Sequence, residues 1–407
     1  MNSFTKDAQE WLDKRFSVKN DRPYQPHSTN SDFGQGRPGF LSNLGMTCKI
    51  AKALSYLQFD SLLDVGASDG FNAAFVQRLY KPFTVASDLS SEALRRAHER
   101  YGLVTAGMDS HQLPFKSNSF DVVMCNEVIE HVYDPVQTML ELYRVAKRFV
   151  IISTLEYEHR AFWRGYQVRI LNPSYIHAHR MVFTHTDFEQ LFPDCTLMPQ
   201  LQDVSLTSPF ELSDKDITLN DAKQKVLAMS SPSKFGYRKY GVLTILKKDG
   251  AQLNKVGSIS EKEIVNALFE LIPESSDSSS QTIEPQLLER LACPHCVLAS
   301  NGLRLVDGQL VCSSCNRSYP IKINTPLLYP HKTRNLVDIP EQDFSRSFPG
   351  VDRNQALALQ AKLLTLSRTS GKLEWVLLRF GNTGLNLALY PLAFMRYQLQ
   401  KLKYMHN

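Results

Sequence analysis

Leu62-Leu63-Asp64-Val65-Gly66-Ala67-Ser68-Asp69-Gly70-Phe71 is an apolar run that ends in an acid, passes through a glycine-rich turn and opens onto a helical pattern. Strand, tight loop and helix in that order form the nucleotide end of an open α/β sheet. Gly66 and Gly70 let the backbone turn sharply and approach a ligand with no Cβ in the way. The third-glycine spacing of a G-x-G-x-x-G fingerprint is absent and Ser68 holds the middle position, so a pyrophosphate is not the expected guest.

Outward from this loop the chain alternates strands and helices. A helical pattern from Leu41 to Leu57 precedes the loop, and a second strand, Phe83 to Ser87, ends in Asp88 and Leu89. An acid about 20 residues past the glycine turn is where such folds place a carboxylate that accepts from ribose hydroxyls. Ser90 and Ser91 read as caps for a helix from Glu92 to Tyr101. Val104 to Gly107 reads as a third strand and leads to Asp109 and Ser110; Phe120 to Cys125 reads as a fourth and leads to Asn126 and Glu127. Asp134 and Pro135 suit the N-cap and first turn of a helix running to Lys147. A fifth strand, Arg148 to Ser153, and a last one, Tyr240 to Leu246, complete the pattern.

Asp64-x-Gly66-x-Ser68-x-Gly70 resembles motif I of class I S-adenosylmethionine-dependent methyltransferases, D-x-G-x-G-x-G, with serine for the central glycine. Leu113-Pro114-Phe115, Ser119-Phe120-Asp121-x-Val123 and Glu127-Val128-Ile129-Glu130-His131 resemble segments of the branch that includes quinone-ring, sterol and small-molecule methyltransferases. The resemblance implies a Rossmann-like seven-stranded sheet over residues 45–248. It also implies a cofactor set of Asp64, Gly66, Ser68, Gly70, Asp88, Leu89, Asp109, Ser110, Asn126 and Glu127, with Asp109 reading the adenine. Glu130 and His131 are the catalytic candidates. An imidazole with its ordinary pKa near 6.5 can take a proton from an acceptor hydroxyl, although an E-H pair at a loop-to-helix junction also serves as a plain hydrogen-bonded brace. The aromatic insertion Glu156 to Phe183, with His159, Trp163, Tyr166, His177 and His179, is the expected acceptor surface.

At 407 residues and 43% hydrophobic content the chain exceeds one domain of about 150 residues. Ser260 to Glu263 forms a capping box for a short helix, and a serine-rich stretch, Ser275 to Ser280, marks a linker within 249–283. Beyond it, in 284–332, Cys293-x-x-Cys296 and Cys312-x-x-Cys315 have the spacing of a four-thiolate zinc ribbon, a closed site that folds a module and leaves no position for chemistry. The text around the cysteines resembles the small zinc-binding activator subunit of tRNA, ribosomal RNA and release-factor methyltransferases, here in cis.

Residues 1–44 read as an N-terminal arm with an amphipathic helix (Phe4, Ala8, Trp11, Leu12), and 333–407 as a helical tail. From residue 360 seven Lys and Arg face one Glu, while the whole chain carries only +5, so the basic character belongs to the tail and the body has no charge-based claim on nucleic acid. The apolar stretch Trp375 to Met395 is interrupted by Arg379, Asn382 and Asn386. Packing against the other domains, self-association and lying on an anionic membrane surface are the open alternatives. The paucity of disulfide-like cysteines and the lack of an apolar run after Met1 lead to the expectation of a cytoplasmic protein, with peripheral membrane contact through the tail. Expected partners are a small-molecule, glycan or lipid-linked methyl acceptor; an RNA or protein acceptor and a non-catalytic scaffold are the rival readings.

Overall fold

A computed structural model describes residues 3–17, 40–155, 183, 185–192, 195–197, 219–229, 241–248, 250–271, 283–296 and 302–364. The aromatic insertion up to residue 182, the serine-rich linker and residues 365–407 lie outside the described residues.

The chain enters through helix α1 (Ser3–Phe16) and helix α2 (Phe40–Leu54). Strands β1 (Ser61–Val65), β2 (Phe83–Asp88), β3 (Val104–Gly107), β4 (Phe120–Asn126) and β5 (Ala146–Leu155) alternate with helices α3 (Phe71–Tyr80), α4 (Ser91–Tyr101) and α5 (Pro135–Val145). After these come α6 (His185–Leu191), β6 (Cys195–Leu197), α7 (Leu219–Met229) and β7 (Gly241–Lys247). The sheet order is β3-β2-β1-β4-β5-β7-β6, parallel from β3 to β5 and antiparallel on both sides of β7. This is the Rossmann-like methyltransferase arrangement. Its topological switch lies between β1 and β4, where the crevice outside the strand ends receives a ligand.

All five residues of β1 are buried, as befits a central parallel strand covered on both faces. The period of two divides the core. Leu62, Val122, Met124, Phe149 and Ile151 pack with Ile50, Ala53 and Leu54 of α2. Leu63, Val65, Val123, Cys125, Val150 and Ile152 face Val136, Met139, Leu140 and Leu142 of α5. Helix α8 (Glu261–Leu271), opened by reciprocal Ser260 and Glu263 hydrogen bonds, closes over α2, α3 and α7 through Ile264, Val265, Leu268 and Phe269.

One boundary differs from the sequence reading. Helix α5 stops at Val145, because Ala146 is extended and already pairs with Phe120, so no loop separates α5 from β5.

Helix α9 (Pro285–Arg290) introduces a second, four-stranded sheet of β8 (Leu303–Val306), β9 (Gln309–Cys312), β10 (Ser318–Lys322) and β11 (Thr325–Pro326), in the order β11-β10-β9-β8. It does not stand apart. Leu291, Leu303, Leu310, Tyr319, Leu328, Phe344 and Leu363 belong to the same apolar cluster as Leu63 and Val85. Downstream of β11, Leu327 forms a parallel bridge with Gly107 at the end of edge strand β3, and the Leu328 N–H donates to the Gly107 carbonyl at 2.8 Å. A 3-10 turn (Leu336–Asp338), helix α10 (Glu341–Ser347) and a helical stretch over 353–364 follow. Among the described residues no helix is long and apolar enough to cross a membrane.

Arg144, on α5, is fully buried and joins the two sheets. Its guanidinium grips Glu141 twice, at 2.8 and 2.7 Å, and donates to the carbonyls of Leu113 and Phe115 at 2.9 and 2.8 Å. The loop it holds docks the second module: Ala292 N–H donates to the Pro114 carbonyl at 2.8 Å and Lys116 N–H to the Arg290 carbonyl at 2.9 Å. Replacing Arg144 by Met strands the Glu141 charge. We expect a loss of about 3 kcal/mol or more in urea unfolding, with faster proteolysis at residues 283–302.

Candidate functional site

The glycine turn is fixed by the strand beside it. Gly66 and Ala67 N–H both donate to the Ser87 carbonyl at 2.8 Å, and Ser87 Oγ donates to the Asp64 carbonyl at 2.7 Å. The Ser68 N–H donates to Asp88 Oδ2 at 2.8 Å, and the Ser90 N–H to Asp88 Oδ1 at 2.8 Å. Gly66, Ser68 and Gly70 alternate through left-handed conformations at φ of 78°, 55° and 85°. A Cβ on Gly66 would stand 2.3 Å from Val128 Cγ2, whereas one on Gly70 would strike Ala97 and Leu103 at 2.7 Å. Gly66 therefore lets the loop meet the β4 turn, and Gly70 lets α3 pack on α4.

A cavity of about 350 Å³ opens over the strand ends. Of the sequence-derived cofactor set, Asp64, Gly66, Ser68, Asp88, Leu89, Asp109, Ser110, Asn126 and Glu127 line it, as does His131. Gly70 and Glu130 do not. Glu130 is wholly buried behind the wall, accepts from Thr154 Oγ1 at 2.9 Å and lies 4.0 Å from His131 Nε2. It can bear on the cavity only through its neighbours.

Four buried polar atoms on this wall have no hydrogen-bond partner among the described residues: Asp64 Oδ2, Ser68 Oγ, Asn126 Nδ2 and Glu127 Oε1. Unpaired buried polar groups are costly, and these four belong to residues that line one cavity, which favours a polar occupant. Two acceptors and two possible donors suit the ammonium and carboxylate of an amino acid. Glu127 is in addition held at φ 53°, a strained position for a side-chain-bearing residue.

Three acids differ in their electrostatics. Burial, and then the charge of Asp88, push the Asp64 carboxyl well above the ordinary range. Burial pushes Asp88 up to about 6, against the pull of the Ser90 and Ser68 N–H groups. Asp109 moves the other way: burial opposes its charge, but the His111 imidazole, with Nδ1 at 2.6 Å from Oδ1, and the His111 N–H, at 3.0 Å, hold its carboxyl below the usual value. His111 Nε2 accepts the Asp134 N–H at 3.1 Å, which makes Nδ1–H the donor to Asp109.

His111 also lines the cavity, and the sequence reading missed it. Its only sequence signal is an acid two residues earlier, a pattern common in turns. So too with α1: Trp11, Leu12 and Phe16, joined by Met46 and Ile50 of α2 and by Val132 and Tyr133, make the apolar side. Asp13 of α1 accepts from Ser90 Oγ at 2.7 Å, seating the helix over the strand-two acid.

In the second module the sulfurs of Cys293, Cys296, Cys312 and Cys315 lie within 4.8 Å of one another. Cys296 N–H turns back to the Cys293 carbonyl at 3.0 Å and Ser314 N–H donates to Cys312 Sγ at 3.4 Å, as thiolate-holding knuckles require. The donor set fits a tetrahedral thiophilic ion. His295 and the scattered Cys48 and Cys125 are not part of it.

Two expectations follow for the cavity. Gly66→Ala should lower affinity for an S-adenosyl ligand at least tenfold in calorimetry, since both φ and the Val128 contact oppose a Cβ. Because a protonated Asp88 cannot accept from two hydroxyls, affinity should fall by up to tenfold per pH unit below about 6. The apo chain should respond oppositely. With the folded value raised above 3.8, the Asp88 contribution favours folding as the pH drops through that window.

Residues 63–152 match the model of the methyltransferase domain family. Over 105 residues the chain is 32% identical to malonyl-(acyl-carrier protein) O-methyltransferase of Marinomonas sp. strain MWYL1, a match covering 24% of this chain and 39% of that protein. The chain thus spans about two fifths of the length of the curated relative it matches. Among solved structures it is similar to an S-adenosylmethionine-dependent methyltransferase of Thermotoga maritima (17% identity, 51% of this chain and 92% of that one, TM-score 0.37). It is also similar to magnesium protoporphyrin IX methyltransferase of Synechocystis PCC 6803 with bound S-adenosylhomocysteine (12% identity, 60% and 99%, TM-score 0.35). At such identities no residue role passes from these structures to this chain. The matched segment, residues 63–152, thus has the sequence character of a methyltransferase domain.

Proposed function

We propose that this chain transfers a methyl group from S-adenosylmethionine to an oxygen of a small-molecule, glycan or lipid-linked acceptor, with a structural zinc ion on Cys293, Cys296, Cys312 and Cys315. The observation that carries the reading is the placement of Asp64, Asp88 and Asp109, from the ends of three neighbouring strands, around one cavity whose lining residues also carry unpartnered polar atoms.

In this reading Asp88 accepts from the ribose hydroxyls, its oxygens having spare lone pairs beyond the Ser68 and Ser90 N–H groups. Asp109, fixed by His111, accepts from the adenine amino group. Asp64 and Glu127 meet the ammonium; Asn126 and Ser68 meet the carboxylate. The cofactor, when bound, supplies an electrophilic methyl on a sulfonium, so the protein has chiefly to align a nucleophile and exclude water. Exclusion falls to Trp11, Leu12 and Phe16 of α1. His131 takes the acceptor proton, with Glu130 Oε1 4.0 Å behind its Nε2 as the group that orients the ring. The apolar side of the cavity supports an acceptor with substantial apolar surface, and the name of the Marinomonas relative, an O-methyltransferase, is in keeping with an oxygen acceptor. A rival acceptor, RNA or protein, draws on the activator-like text around the cysteines and on the basic tail.

The test is calorimetric titration of the full chain with S-adenosylmethionine and S-adenosylhomocysteine, with metal content measured on the same sample. Micromolar binding, weakened tenfold or more in Asp88→Ala, is expected; a folded chain that binds neither ligand would leave only a scaffold. One zinc per chain is expected, and Cys312→Ser should lose it. Labelled-methyl transfer into lipid extracts, small-molecule extracts, RNA and protein then distinguishes the acceptor classes.

A further inference from the structure

The second module reaches the cavity through a short arm, residues 325–334. Thr325 Oγ1 and Thr105 Oγ1 share a hydrogen bond of 2.6 Å. Gly107, lacking a Cβ, admits Leu327 and Tyr329, whose side-chain atoms lie 2.7 Å from where a Cβ would stand. Tyr329, half-buried, donates its hydroxyl to the Leu89 carbonyl at 2.9 Å, one residue beyond Asp88. Thr333 Oγ1 donates to Asp109 Oδ2 at 3.4 Å, the oxygen that His111 leaves open. Arg334 N–H donates to Gln112 Oε1 at 2.9 Å, and Gln137 Nε2 donates to the Arg334 carbonyl at 2.6 Å and to the His111 carbonyl at 2.7 Å. The arm thus holds the backbone after Asp88, the carboxylate of Asp109, and the turn carrying His111.

From β10 this arm runs directly back to the cysteines. Tyr319 of β10 brings its hydroxyl to Cys293 Sγ at 3.1 Å, and Leu327 N–H donates to the carbonyl of Pro320 beside it. Gln112 also donates to the carbonyl of Pro294, inside the first cysteine knuckle. One strand therefore touches the sulfur cluster with one residue and launches the arm with its last.

We propose that Tyr329 and Thr333 are positioning residues of the cofactor site, and that metal ligation by the four cysteines and cofactor binding strengthen one another through this arm. The inference rests on the cofactor reading above. Linkage requires the effect to be reciprocal: an ion that orders the arm raises cofactor affinity, and bound cofactor slows loss of the ion.

The experiment uses the full chain loaded with zinc, with S-adenosylhomocysteine as probe. Tyr329→Phe and Thr333→Val each remove one hydroxyl and keep the packing. Each should weaken binding about three- to tenfold, the ordinary weight of one hydrogen bond. Leu305→Ser, on an exposed strand position of the same module, should leave it unchanged. Conversely, saturating S-adenosylhomocysteine should slow zinc transfer to a chromophoric chelator by a similar factor, and less so in Tyr329→Phe. Wild-type binding with unaltered affinity in both hydroxyl variants, and a chelation rate indifferent to the ligand, would overturn the linkage while leaving the cofactor reading intact. Absence of binding in the wild-type chain itself would overturn both.

Discussion

The contact on which most else depends is the donation of two loop amides, Gly66 and Ala67, to one carbonyl, Ser87, with Ser68 donating next door to Asp88. It ties the turn after β1 to the end of β2, and so sets the spacing of the acids that follow each strand. A glycine loop held only by its own conformation would sample many shapes, and its ordering entropy would be charged to each binding event. Here neighbouring strand ends have already ordered it. The price is electrostatic: Asp64 and Asp88 are buried close together, and burial with the Asp88 charge pushes the Asp64 carboxyl well above the ordinary range.

Around that fixed point the two sheets form one body. Arg144 anchors the Leu113 to Phe115 loop from within, while the same loop receives Ala292 and Leu291 from outside. Arg290 lies over the rings of Phe83 and Phe120, at the start of β2 and of β4. Further along, Gln360 donates to Asp134 and Lys362 pairs with Asp187 at 3.1 Å, so the helical stretch after α10 is fastened to the first domain as well. A small module of about fifty residues has little core of its own; this one borrows the core of a larger neighbour.

Much of this was legible in the sequence, for identifiable reasons. The strands around the glycine loop are short apolar runs ended by acids or asparagine, and both Ser90 and Asp134 cap as their side chains demand, accepting from Ala93 and Gln137 at 3.1 Å. The cysteine pairs announced their own meeting, because two knuckles at that spacing have few other uses. Three-dimensional neighbours were harder. Nothing in the text around Trp11 distinguishes a helix that seals a cavity from one that packs elsewhere, and Glu130 and His131, adjacent in sequence, fall on opposite sides of the wall. Thr333 and Arg334 read as the start of a tail, and their contacts with Asp109 and Gln112 could not be read there, because pairing across 224 and 222 residues leaves no local pattern.

Gly107 carries a consequence for the company this protein keeps. An edge strand with a bare final residue is an open invitation to a foreign strand, the surface on which one polypeptide recruits another by extending a sheet. Here the chain's own Leu327 has taken that place, and a tethered segment competes at a local concentration that a free rival rarely matches. A separate polypeptide seeking this border would have to displace a resident attached by its own backbone.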